Sequence, residues 1–159
     1  RAKPRLTLPD AQGAERVQYA LRDTRCAVDI SDDFLSVAWR KLLQNAVAGL
    51  MVLAGRRAGM FAREDITALA FAYLQEGLKV ARAAGARLDE SVAQEIVAGF
   101  HRAPPDLSTS ILTDREAGLP LEWDIRNGVV QRYGRIYHIA TPLSDVIVPL
   151  LAAASDGPG

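Results

Sequence analysis

Cysteine, histidine and excess charge are all scarce in this sequence, and each scarcity excludes a class of function. A single thiol, Cys26, builds no disulfide framework and no zinc cage. The two histidines, His101 and His138, have no partner at metal-ligand spacing and read as helix-end or surface residues. Lys plus Arg number 19 and Asp plus Glu number 19, so no long-range field gathers a polyanion. Nucleic acid is therefore not an expected partner. Uninterrupted apolar runs are short of the roughly 18 residues of a membrane span, and the basic start Arg1-Ala2-Lys3-Pro4-Arg5 leads into no signal-peptide core. A soluble cytoplasmic setting without membrane contact is expected by default. Glycine-rich phosphate loops are missing too: the one Gly-x-Gly is Gly157-Pro158-Gly159, at the C-terminus, where no strand leads into a helix.

What is present suits an ordinary globular domain of 159 residues, 49% hydrophobic and 24% charged. At this length roughly two-thirds of the extended-chain surface can be buried, enough for an apolar core without metal or disulfide. The first thirty residues have their own texture. Leu6-Thr7-Leu8 and Cys26 to Ile30 are short β-type runs, and Ala14 to Leu21 between them can form about two helical turns. Two short strands do not stand alone. Residues 1–30 are therefore expected to be the trailing edge of a domain whose other strands precede Arg1, plus a linker.

From Ile30 the apolar period changes from two to about 3.6. Ser31 is expected to cap a long helix, with Asp32 and Asp33 in its first turn and Gly55 and Gly59 at its exit. A second helix is predicted from Glu64 to about Ala84, ended by Gly85, and a third from Glu90 to about His101, stopped by Pro104 and Pro105. Asp106 to Ser108 offer caps for a fourth segment ending near Gly118, and a fifth begins near Pro120. Thr141-Pro142 starts the last helix, Leu143 to Ala154. The expected fold class is mainly α: a helical domain over 31–155, a β-α-β fragment before it and a flexible tail at 156–159.

Two stretches carry candidate chemistry. Lys41, Asn45 and Gly49 fall four apart, so a helix lines them up as one stripe, Lys41 and Asn45 about 6 Å apart along the axis. The stripe borders the apolar one of Leu42, Ala46 and Leu50. A lysine and an amide there, with room at Gly49 for something to approach the backbone, suit a partly desolvated small-molecule pocket, although solvated side chains on an amphipathic helix share the pattern. In the second stretch, Ser110 near a helix start offers a hydroxyl and free amides to a carboxylate, or simply caps the helix. Glu122 is expected in the first turn of the next helix, favoured there by the dipole, and beside Trp123 it is poised to hold a lysine.

The ordered set Trp39-x-Lys41-Leu42-x-x-Asn45, Ser108-x-Ser110-x-x-x-Asp114, Glu122-x-Asp124-x-x-Asn127-Gly128-x-Val130 and Thr141-Pro142 resembles the C-terminal helical domain of ketopantoate reductases (2-dehydropantoate 2-reductases), from about Asp32 to Ala153. The resemblance implies the 6-phosphogluconate-dehydrogenase C-terminal-like fold, with residues 1–30 the remnant of a Rossmann domain that would hold NADPH upstream. It implies reduction of ketopantoate, a small 2-keto acid, to pantoate in pantothenate (vitamin B5) and coenzyme A biosynthesis. Lys41 then matches the catalytic proton donor, Glu122 the glutamate near that lysine and the reacting hydroxyl, and Asn45 and Ser110 the substrate-binding pair. The chain's own Rossmann domain is the implied partner, a homodimer a further one, and no metal is implied. The isolated chain is expected to be inactive and to bind NADPH poorly. One turn after Asn45 the family often has a second asparagine, here Gly49, and after Ser110 stands Ile111 where methionine is common. Two alternatives remain open: a reductase of another small 2-keto acid, and a noncatalytic helical dimerisation module in which Lys41 and Glu122 are incidental.

Overall fold

The computed structural model describes residues 3–157. Strand β1 (Arg5–Pro9), helix α1 (Ala14–Leu21) and strand β2 (Ala27–Ser31) form a β-α-β unit whose strands run parallel, Arg5 opposite Ala27 and Leu8 opposite Ile30. Ala14 is the buried residue of α1, and both strands are half-buried or exposed. The unit therefore adds little to the core.

That core is built around α2 (Phe34–Ala54). Asp33 caps it, its carboxylate accepting from the Ser36 amide at 3.3 Å, and the guanidinium of Arg87 holds the same carboxylate at 3.0 Å. Ser31, the cap expected from sequence, does not fill that role. It ends β2, and its hydroxyl accepts instead from the Asp33 amide. The C-terminal half of α2 is buried on every side, from Ala46 through Val52. A helix apolar all round belongs at the centre of a bundle. Gly55 closes it at φ 59°, a left-handed conformation that favours glycine.

A short 3₁₀ turn (Ala58–Ala62) leads into α3 (Glu64–Ala83), then α4 (Ser91–Arg102) and α5 (Ser110–Glu116). Phe61 stacks on Phe100 with ring centroids 4.4 Å apart, joining the 3₁₀ turn to α4. The caps expected at Asp106 to Ser108 are not used: Thr109 stands at the N-cap of α5, and Ser110 is its first helical residue. The fifth predicted segment starts late. Leu121 and Glu122 precede the helix, and the chain then takes a π turn over Asp124–Gly128 before α6 (Val129–Ile136). Helix α7 (Pro142–Asp156) runs past the predicted end, so Asp156 of the expected tail is helical, while Pro158 and Gly159 lie outside the described residues. His101 falls in the last turn of α4 and His138 is exposed after α6, as read from sequence.

Candidate functional site

The π turn organises the site. A π turn widens one helical turn by a residue, which re-aims the side chains it carries. Two of these, Arg126 and Asn127, point into different surroundings. The Arg126 side chain is only 14% exposed, and its guanidinium donates through Nε (3.1 Å) and Nη2 (2.7 Å) to Glu122 Oε2. The same Nη2 donates to Ser110 Oγ at 3.1 Å. Two of the four predicted site residues, Ser110 and Glu122, are thus drawn together by a residue that the sequence reading passed over. The i,i+4 spacing of Glu122 and Arg126 was the available signal.

Asn127 points the other way, fully buried, its Nδ2 donating to the Ala46 carbonyl at 2.9 Å and to Tyr73 Oη at 3.1 Å. Ala46 adjoins Asn45, so this bond ties the π turn to the part of α2 that carries the predicted stripe. Lys41 on that stripe is exposed and Asn45 half-buried. A groove of about 330 Å³ lined by Leu35, Trp39, Leu42, Val129 and Tyr133 flanks the same helix. The ion-pair partner of Glu122 is Arg126 rather than Lys41.

Gly49 does not open onto a ligand. A Cβ there would sit 2.9 Å from Asn127 Nδ2 and 3.0 Å from Leu151 Cδ1, so the space at Gly49 is filled by the chain's own Asn127 and α7. The group that approaches the backbone is an internal one.

Asn127 also heads a buried polar network. Tyr73 lies under it, and burial pushes the phenol up from its ordinary value. Beyond Tyr73, Glu76 on α3 is 7% exposed and accepts from the α7 amides of Leu143 (2.8 Å) and Ser144 (2.9 Å) and from Ser144 Oγ (2.6 Å). A carboxylate from a distant helix thus satisfies the free amides at the start of α7, which has no side-chain cap of its own at Thr141. Nothing in the local sequence near Thr141 announces this. The hint was an acid between Tyr73 and Gly77 in an otherwise apolar stripe.

Solved structures share this architecture. The chain superposes on a dimeric ketopantoate reductase from Staphylococcus aureus with a TM-score of 0.91 at 23% identity, over 100% of this chain and 56% of that one. It superposes on D-mandelate dehydrogenase in complex with NADH with a TM-score of 0.87 at 21% identity, over 98% of this chain and 55% of the other. The fold is thus that of one half of these larger proteins. A family profile described as "Ketopantoate reductase PanE/ApbA C terminal" matches residues 33–155, and the chain belongs to that family. A 2-dehydropantoate 2-reductase of Mycobacterium tuberculosis is 54% identical over 159 residues, all of this chain and 54% of the relative. One from Caulobacter vibrioides is 31% identical over 150 residues, 94% of this chain and 52% of the relative. The chain spans about half the length of the curated relatives it matches.

Proposed function

We propose that this chain is the substrate-side half of a reductase that converts 2-dehydropantoate (ketopantoate) to pantoate in the formation of pantothenate and coenzyme A, with NADPH as the hydride source. The observation that carries the reading is the cluster of Ser110, Arg126 and Glu122, tied through Asn127 to the turn of α2 beside Asn45. This supports a shared site for Ser110 and Glu122 at the π turn, with the α2 stripe anchored to the same turn. The residues here do not fit a dinucleotide: no Gly-x-Gly-x-x-Gly joins a strand to a helix in this sequence. Cofactor binding is assigned to a Rossmann domain outside these 159 residues, and the isolated chain is expected to be inactive. A homodimer in the cytoplasm is part of the same proposal.

The duties that remain belong to side chains. Reduction of a 2-keto acid builds negative charge on the carbonyl oxygen, and the Lys41 ammonium is assigned to stabilise that oxygen and give it a proton. Asn45 and Ser110 are assigned to hydrogen-bond the polar substrate, and Glu122 to orient the reacting hydroxyl. NADPH oxidation by the full-length protein with ketopantoate should fall roughly 10²- to 10⁴-fold in kcat for Lys41→Ala, with the fold intact because Lys41 is exposed. A folded wild type that binds NADPH and yet leaves ketopantoate untouched would sink the assignment. The second reading, a reductase of another small 2-keto acid, loses the support Gly49 gave it in sequence, because Gly49 packs against Asn127 and Leu151; a panel of keto acids separates the two.

A further inference from the structure

We propose that Arg126 is a specificity-determining residue that anchors the carboxylate of the substrate, together with the hydroxyl of Ser110; the inference rests on the reductase reading above. The guanidinium has two kinds of edge. Its Nε–Nη2 edge is spent on Glu122, and the second proton of Nη2 on Ser110 Oγ. Nη1 has no partner among the described residues. Ser110 Oγ accepts in its bond with Arg126, so its own O–H is still a donor, and Ser110 is exposed. Nη1–H and Oγ–H are thus two unspent donors of one cluster, a pair suited to the two oxygens of one carboxylate.

Burial sharpens the recognition. The arginine side chain is 14% exposed, so its charge is less screened than that of a surface arginine, while Glu122 at 54% exposed keeps solvent around its free oxygen. Glu122 holds the guanidinium plane in place and leaves the other edge open. The anchor is fixed by the bond of the next residue, Asn127, to the Ala46 carbonyl, which sets the π turn against the helix that carries Lys41 and Asn45. A carboxylate held at Arg126 and Ser110 would place the substrate beside the π turn that Asn127 ties to α2. A neutral analogue would lose the charged contact and keep the rest.

The test compares pantoate with its uncharged lactone by calorimetric binding to the full-length protein in the presence of NADP⁺, for wild type, Arg126→Met and Arg126→Lys. Arg126→Met retains the apolar stem and leaves behind only the half-exposed Glu122, so the fold should survive. Pantoate binding should weaken roughly 10- to 100-fold in Arg126→Met, with recovery of part of the loss in Arg126→Lys, while the lactone changes less than about threefold. In turnover the loss should fall mainly on KM. Equal weakening for acid and lactone, or unchanged pantoate binding, overturns the proposal. The readout is binding, so a wild type that binds pantoate through Arg126 and fails to reduce ketopantoate would overturn the assigned reaction and leave the carboxylate anchor standing.

Discussion

At the scale of single residues, Gly49 decides between two opposing effects. Replacing a helix glycine by alanine gains about 1 kcal/mol of helix propensity. Against that, the new Cβ would stand 2.9 Å from Asn127 Nδ2 and 3.0 Å from Leu151 Cδ1, and Asn127 cannot retreat without leaving both the Ala46 carbonyl and Tyr73. Overpacking of this kind costs about 1–3 kcal/mol, so Gly49→Ala should be destabilising on balance and Gly49→Asn more so, measured by urea denaturation. Charged residues on the surface set the acid limit. The Asp33 carboxyl lies below its ordinary value of 3.8, held down by its bonds with Ser36 and then by Arg87, and Glu95 lies below 4.5 through Arg40 and then Ser91. Depressed carboxyl groups contribute stability in full above those ordinary values. The contribution fades as pH falls below them and through the lower folded-state values. Denaturation midpoints followed from pH 6 to pH 2 should decline over that acid range, and the decline should be shallower in Asp33→Asn, which already lacks the ionised cap.

At the scale of elements, α7 depends on α3. Removing Glu76 leaves two amides and a hydroxyl at the start of α7 without their acceptor, and charge-assisted bonds of this kind cost about 1.5–3 kcal/mol each when lost. Glu76→Ala should therefore destabilise the protein by about 3 kcal/mol or more, and Ser144→Ala by less, since it removes one bond of the set; chemical denaturation compares them. The helices themselves were legible in the sequence because their determinants are local: a 3.6-residue apolar period, Gly55 and Gly85 as stops, and Pro142 at the start of α7. The π turn and the α7 cap were not. Their determinants lie far away in sequence, Asn127 bonding a carbonyl 81 residues earlier and Ser144 a carboxylate 68 residues earlier. For the same reason Lys41, Asn45, Ser110 and Glu122 could be named from their motif while Arg126, which binds two of them, was passed over. The motif conveys residue identity, whereas the grouping comes from how the helices pack.

At the scale of the whole molecule, stability is unevenly spread. The main core runs from α2 through α7, with Leu43, Val47, Phe61, Leu74 and Leu151 almost wholly buried, whereas the β-α-β unit buries Ala14 alone on its helix. Amide exchange should reflect that division: protons of α2 and α3 should be the slowest, and those of Arg5 to Ser31 should exchange much sooner in the isolated chain. Equal protection of both parts would contradict it. The two parallel strands have a further consequence. Among the described residues each pairs on one side only, so the β1–β2 pair presents two rows of main-chain donors and acceptors free to template another strand. The 159-residue chain on its own would then self-associate through this ribbon. Light scattering that rises with concentration and vanishes when Val28 is replaced by proline would show that the ribbon carries the association.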